Sequence, residues 1–134
     1  MVMGHTIKLA TLGAVAFMVL DGVWLGLLMK NFYRDQLAPI VRLADGGIAP
    51  NWPAAFVVYA LLGTGIAFVV IPRAPTVSLA AAYGALFGLV VYGVYDFTNY
   101  STLRQWPFVL VLADVAWGAV ASAACAAAVR LVSR

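Results

Sequence analysis

Three aspartates, Asp21, Asp96 and Asp114, each stand inside a long apolar run. At the centre of a membrane-spanning helix such a residue costs about 3 kcal/mol to insert, so it marks a site of proton exchange, ligand contact or hydrogen bonding between helices. Two carboxyls in a poorly hydrated site separate in proton affinity, which lets one act as acid and the other as base. Asp96 and Asp114 are the candidate acid and base, with Asp21 as the group that holds or tunes them. The competing role is packing glue, in which each acid is satisfied by Tyr, Trp or Asn across a helix interface.

Helical spacing supplies these acids with partners. Gly88, Tyr92, Asp96 and Asn99 recur at three- and four-residue steps and form one stripe. Phe17, Asp21, Trp24 and Leu28 share a second face, and Leu110, Asp114, Trp117 and Ala121 a third. Asp-x-x-Trp thus occurs twice, which is expected to stack each indole beside the carboxyl one turn away. Tyr59 reaches comparable depth on another run. The candidate ligand-binding residues are therefore Trp24, Tyr59, Tyr92, Asn99, Arg104 and Trp117, with Arg104 expected to fold over the mouth and meet an anionic headgroup. Gly22-x-x-x-Gly26 and Gly84-x-x-x-Gly88 are read as close helix contacts.

Other chemistries lack parts. His5 is the sole histidine and Cys125 the sole cysteine, which leaves no set for a zinc, haem or catalytic-triad site. Three carboxylates could attract a hard divalent cation, but the sequence assigns no metal and names no cofactor. There is no glycine-rich phosphate loop. A net charge of +3 comes from scattered Lys and Arg residues rather than a basic stripe, so no nucleic-acid partner is expected. Cys125, among small residues, reads as a packing residue.

The elements that must position these groups are membrane spans. Hydrophobic residues make up 65% of the chain and charged ones 10%, and the mean hydropathy is +1.00. A span needs roughly 20 apolar residues, so 134 residues hold four spans, short connections and a single domain over 1–134. The expected fold is an all-α four-helix transmembrane bundle with spans at about 6–29, 53–71, 76–99 and 107–130. Breaks fall at Lys30–Asn51, read as a loop or a short interfacial helix, at Pro72–Pro75, and at Tyr100–Gln105. The unbroken apolar runs give no reason to expect β structure.

Four spans place both termini and the Pro72–Pro75 turn on one face, the terminal face; the two other connections share the loop face. Each face carries four basic residues, so charge does not set the orientation, and the absence of acids on the terminal face leans towards a cytoplasmic one. Phe32, Tyr33, Trp52, Tyr100 and Trp106 are read as anchors at the loop-face headgroups. By helical rise Asp21 lies roughly 13 Å and Asp114 roughly 10 Å below that face, and Asp96 about 5 Å. A faint repeat pairs Asp21 with Asp96 and Asn51-Trp52-Pro53 with Gln105-Trp106-Pro107, implying two similar hairpins.

The motifs Leu20-Asp21-Gly22-Val23-Trp24-Leu25-Gly26, Phe32-Tyr33-Arg34, Tyr95-Asp96-Phe97-Thr98-Asn99, Thr102-Leu103-Arg104-Gln105-Trp106-Pro107 and Asp114-Val115-Ala116-Trp117-Gly118 resemble a bacterial family of predicted membrane proteins, domain-of-unknown-function family 2177. The resemblance spans nearly the whole chain. It implies four spans and a bacterial membrane setting, assigns no activity, and associates the chain loosely with genes for membrane-lipid modification and oxidative stress. The leading expectation is a multi-pass protein of the bacterial inner membrane whose polar intramembrane pocket handles a lipid or small amphiphile, as an enzyme or as an accessory to one. A proton-coupled small transporter working as an oligomer and a non-catalytic subunit of a larger membrane complex are the alternatives. Membrane lipids, copies of the chain or a larger complex are the corresponding partners.

Overall fold

The computed structural model describes residues 2–134. Four helices are long and apolar enough to cross a membrane: Val2–Leu28, Trp52–Arg73, Val77–Thr102 and Phe108–Val132. The first comprises α1 (Val2–Val23) and a π-helical turn, Trp24–Leu28. A short helix α2 (Lys30–Leu37) and a minimal antiparallel hairpin, β1 (Leu43–Ala44) and β2 (Gly47–Ile48), make up the long connection. The second span is α3 (Trp52–Gly65), extended by a π turn, Ile66–Val70, and a 3₁₀ turn, Ile71–Arg73. The third and fourth are α4 (Val77–Thr102) and α5 (Phe108–Val132).

Local chemistry sets these boundaries. The Asn51 side chain accepts from the Ala54 amide at 3.2 Å and caps α3, whose proline falls in the first turn, where no donor is needed. Thr76 caps α4 in the same way, accepting from Leu79 at 3.2 Å. Pro72 cannot donate to the carbonyl four residues back, and the second span meets it by widening to a π turn and then tightening to 3₁₀.

The structure differs from the sequence expectation at the end of α4 and in the long connection. α4 runs past Asn99 to Thr102, and the Ser101 and Thr102 hydroxyls in this polar last turn bond back to the Thr98 carbonyl. Asp96 is therefore about 9 Å from the end of its helix, nearer the depth of the other two acids. The long connection holds a β-hairpin, correcting the view that no β structure is present. Asp45 and Gly46, with φ of 51° and 77°, supply the two left-handed residues that a two-residue hairpin turn requires.

The helices associate as two pairs. α4 packs on α5 along its length and α1 on α3, with α1 against α5 joining the pairs. Where backbones approach most closely the residues are glycines. A Cβ on Gly88 would collide with the Gly118 carbonyl, and one on Gly84 with the Ser122 carbonyl and Ala126. Gly63 meets the backbone at Ala10 and Ala14 in the same fashion. The Cys125 thiol reaches the Gly13 carbonyl at 3.4 Å, locking α5 to α1 as a packing residue would. The terminal half of the bundle is thus closed, and Arg130 ties its end by donating to the Pro75 carbonyl at 2.9 Å.

Gly22 and Gly26 do not share this role. A Cβ at either would meet nothing within 4 Å, so this motif is not a helix contact within the bundle. It borders open space instead. Towards the loop face α3 and α4 also stand apart; their contact is made near the π turn, where the Phe87 ring lies across Gly65. Large apolar side chains such as Leu27, Leu61, Phe68, Leu86, Val94 and Leu112 cover the outer surface, as a hydrocarbon surround requires.

Candidate functional site

Asp21 and Asp114 face each other across α1 and α5 near the loop face, and both line one cavity of about 400 Å³. α1 and α5 run antiparallel, so three residues along one helix lead towards the loop face and along the other away from it. Asp21 is therefore level with Trp117, and Trp24 with Asp114. The expected pairing of each indole with the carboxyl on its own helix is accordingly corrected to a crossed one. The Trp117 indole N–H donates to Asp21 Oδ1 at 2.8 Å. The Trp24 N–H donates to the Tyr33 hydroxyl at 3.0 Å, which donates to Asp114 Oδ1 at 2.6 Å. The two indoles stack with centroids 4.5 Å apart and planes 1° from parallel. One continuous network thus holds both acids.

Tyr33 was legible only as an interfacial anchor, yet it is buried and central. α2 is amphipathic at one-turn spacing, and Tyr33 and Leu37 turn inward onto Leu110 while Arg34 and Asp35 form an ion pair at 3.0 Å outside. Burial, then the Asp114 charge and hydrogen bond, raise the Tyr33 pKa above the ordinary tyrosine value, so its hydroxyl stays a donor. The π turn at Trp24 accompanies this arrangement, adding a residue to the register so that Leu28 points outward, 70% exposed, rather than sharing the face of Asp21.

Asp96 is fully buried, and no donor reaches either of its oxygens. What it faces is another acceptor, the Asp114 carboxyl. Asp96 and Asp114 thus present their carboxyls to one another between α4 and α5. The Trp106 indole N–H faces the same carboxyl without hydrogen-bond geometry and is itself buried without a partner. Trp106 lines the cavity rather than anchoring the helix end. Trp52 and Tyr100, at 58% and 47% exposure, do lie at the surface as anchors would.

The remaining candidates divide. Tyr92 lines the cavity, its ring laid over Gly118, and the Tyr59 hydroxyl approaches Asp21 from α3. Asn99 lies outside the cavity lining beside Tyr95, and its carbonyl caps the end of α4 by accepting from Leu103 at 2.8 Å. Arg104 is exposed, makes no hydrogen bond or ion pair among the described residues, and does not border the cavity. The longer α4 puts it beyond the helix end, so the expected closure over the mouth is not made. Among the described residues no three His, Cys, Asp or Glu side chains are grouped to hold a metal ion. The cavity walls are otherwise apolar, with Leu25, Leu37, Leu62 and Leu110, and Val58, Val91 and Tyr95 border it where α3 and α4 part. These three are also exposed, at 51%, 36% and 55%, so the cavity opens sideways towards the hydrocarbon.

Fold and site together define a four-span membrane protein with an internal carboxyl-bearing cavity. Residues 6–131 match the model of the predicted membrane protein family known as domain of unknown function 2177, and the chain belongs to that family. No curated protein and no solved structure matches the chain.

Proposed function

We propose that the cavity binds a membrane lipid or small amphiphile that enters sideways between α3 and α4, and that Asp114, which lines the cavity, exchanges a proton with it, backed by Asp96, which is buried behind it outside the lining. The observation that carries this reading is an apolar cavity, open at the bundle's side, whose innermost wall is a carboxyl network. Its size falls in the ordinary range of ligand sites, roughly 300–1,000 Å³. Stable binding needs no charged partner for the tail; chemistry or recognition at a polar atom would use the acids, with Asp21 held by Trp117 as the positioning group. The protein then acts on the lipid itself or presents it to an enzyme, in a bacterial inner membrane with cytoplasmic termini. The transporter reading is less well supported, because a path to the terminal face would have to pass the Gly84 and Gly88 contacts with α5.

The test is mass spectrometry of what copurifies with the protein. Wild type is expected to retain a defined amphiphile, and Val91→Phe, which narrows the lateral opening, to lose it without unfolding. Equal amounts of bulk lipid on both proteins would sink the reading. A tightly copurifying membrane protein in its place would instead favour the subunit alternative.

A further inference from the structure

A second cavity, of about 580 Å³, lies beneath the β-hairpin between α1 and α3. It adjoins the first through Asp21, Leu25, Ile48 and Val58, which border both. The wall on the first span is the groove left by Gly22 and Gly26, where nothing packs. Besides Asp21, which Trp117 holds, its lining carries charge of both signs, Lys30 and Asp45.

These two charges do not neutralise each other. Among the described residues the ion pair is Arg34 with Asp35, and neither Lys30 nor Asp45 has a salt-bridge partner. Both side chains are exposed and rise from fixed backbone. Lys30 opens α2, and its stem lies over the buried Gly47, where a Cβ would come within 2.9 Å of the Lys30 Cε. Asp45 is the first left-handed residue of the hairpin turn, and Arg34 fixes the turn by donating to the Gly46 carbonyl at 3.2 Å. Arg34 is thereby committed both to the turn and to Asp35. Lys30 follows the end of the first span and Trp52 begins the second, which sets the mouth at headgroup depth.

A cation and an anion lining one cavity, each without a protein partner, match a ligand group that carries both signs. We infer that the second cavity is the headgroup site for a zwitterionic phospholipid of the phosphoethanolamine class. The phosphate lies at Lys30, the ammonium at Asp45, and an acyl chain passes Asp21 and Val58 into the first cavity. A primary ammonium offers N–H donors to the Asp45 carboxylate, whereas a trimethylammonium offers none and a phosphoglycerol head brings no cation. This inference rests on the first cavity's reading as a lipid site and adds the class of lipid.

The experiment reconstitutes the full chain in nanodiscs containing equal parts of phosphoethanolamine, phosphocholine and phosphoglycerol lipids with identical chains. Lipid retained on the released protein is then read by native mass spectrometry. Wild type is expected to keep phosphoethanolamine over both competitors. Asp45→Asn should reduce that preference about threefold, to the phosphocholine level, and Lys30→Gln should lower retention of all three about threefold, the scale of one partly exposed charge contact. Both substitutions lie outside the packed bundle, so folding is preserved, and the thermal melt of each variant checks it. Equal retention of the three lipids, a preference for phosphoglycerol, or variants that behave as wild type would overturn the headgroup assignment. If Val91→Phe still strips the bound lipid in that case, the first-cavity reading survives alone; if no lipid is retained by any variant, both fall.

Discussion

Tyr33 carries more of the site than any single aspartate, because one hydroxyl satisfies two groups that would otherwise be stranded. It accepts from Trp24 and donates to Asp114, so Tyr33→Phe leaves an indole N–H and a carboxyl oxygen unpaired at once. The expected cost is about 1–3 kcal/mol, seen as a lowered melting temperature of the detergent-solubilised protein with altered tryptophan fluorescence. An unchanged melt would mean that water replaces the hydroxyl. The same residue sets a pH dependence: its folded pKa is raised above the ordinary value near 10, so its stabilising contribution is complete below that value and is lost as the pH climbs above it. Tyr33→Phe should remove this part of the alkaline destabilisation, measured as melts across pH 9 to 11. Asp96→Asn has the opposite sign. Asp96 accepts no hydrogen bond and faces the Asp114 carboxyl, so an amide in its place can donate to Asp114. The variant should be at least as stable as wild type while removing one acid from the proposed proton exchange, and a destabilised Asp96→Asn would count against the facing arrangement of the two carboxyls.

At the scale of elements, the two Gly-x-x-x-Gly motifs look alike in sequence and behave differently in the fold. Gly88→Ala presses a methyl group into the Gly118 carbonyl and should cost about 1–3 kcal/mol by overpacking. Gly22→Ala and Gly26→Ala meet open space, and should be neutral or, from helix propensity, stabilising by up to about 1 kcal/mol. Thermal denaturation of the three variants separates them, and equal losses would show that Gly22 and Gly26 pack against something after all. The spans were legible because apolar run length follows from bilayer thickness, and the inward faces of α4 and α5 because helical spacing repeats. The crossed pairing of Asp21 with Trp117 was not, since it depends on which antiparallel helix stands beside α1. Tyr33 and Trp106 were read as anchors because an aromatic at a span end gives the same local signal whether it faces lipid or the bundle. The inward turn of Tyr33 was available in the four-residue spacing to Leu37. The hairpin was available too, in Asp45-Gly46, but apolar flanks two residues long are too short to announce strands.

For the molecule as a whole, the decisive property is that the bundle is closed on the terminal half and open between α3 and α4 on the loop half. Four helices held by glycine contacts at one end splay at the other, and the long connection, through α2, covers that end from above while leaving the side free. The internal tryptophans report on this opening directly, because Trp106 and Trp117 line the cavity and Trp24 stacks on Trp117, whereas Trp52 lies on the outer surface. In a Trp52→Phe protein reconstituted into lipids brominated along the acyl chain, fluorescence from the three remaining indoles should be strongly quenched, since bromine acts at near contact and hydrocarbon can reach the cavity. Val91→Phe should relieve that quenching by narrowing the gap, without changing the emission of the protein in unbrominated lipid. Water-soluble acrylamide should quench weakly in both. If acrylamide is instead the stronger quencher and brominated chains have little effect, the cavity is filled from the aqueous side, and lateral entry of a lipid is excluded even though the carboxyl network stands.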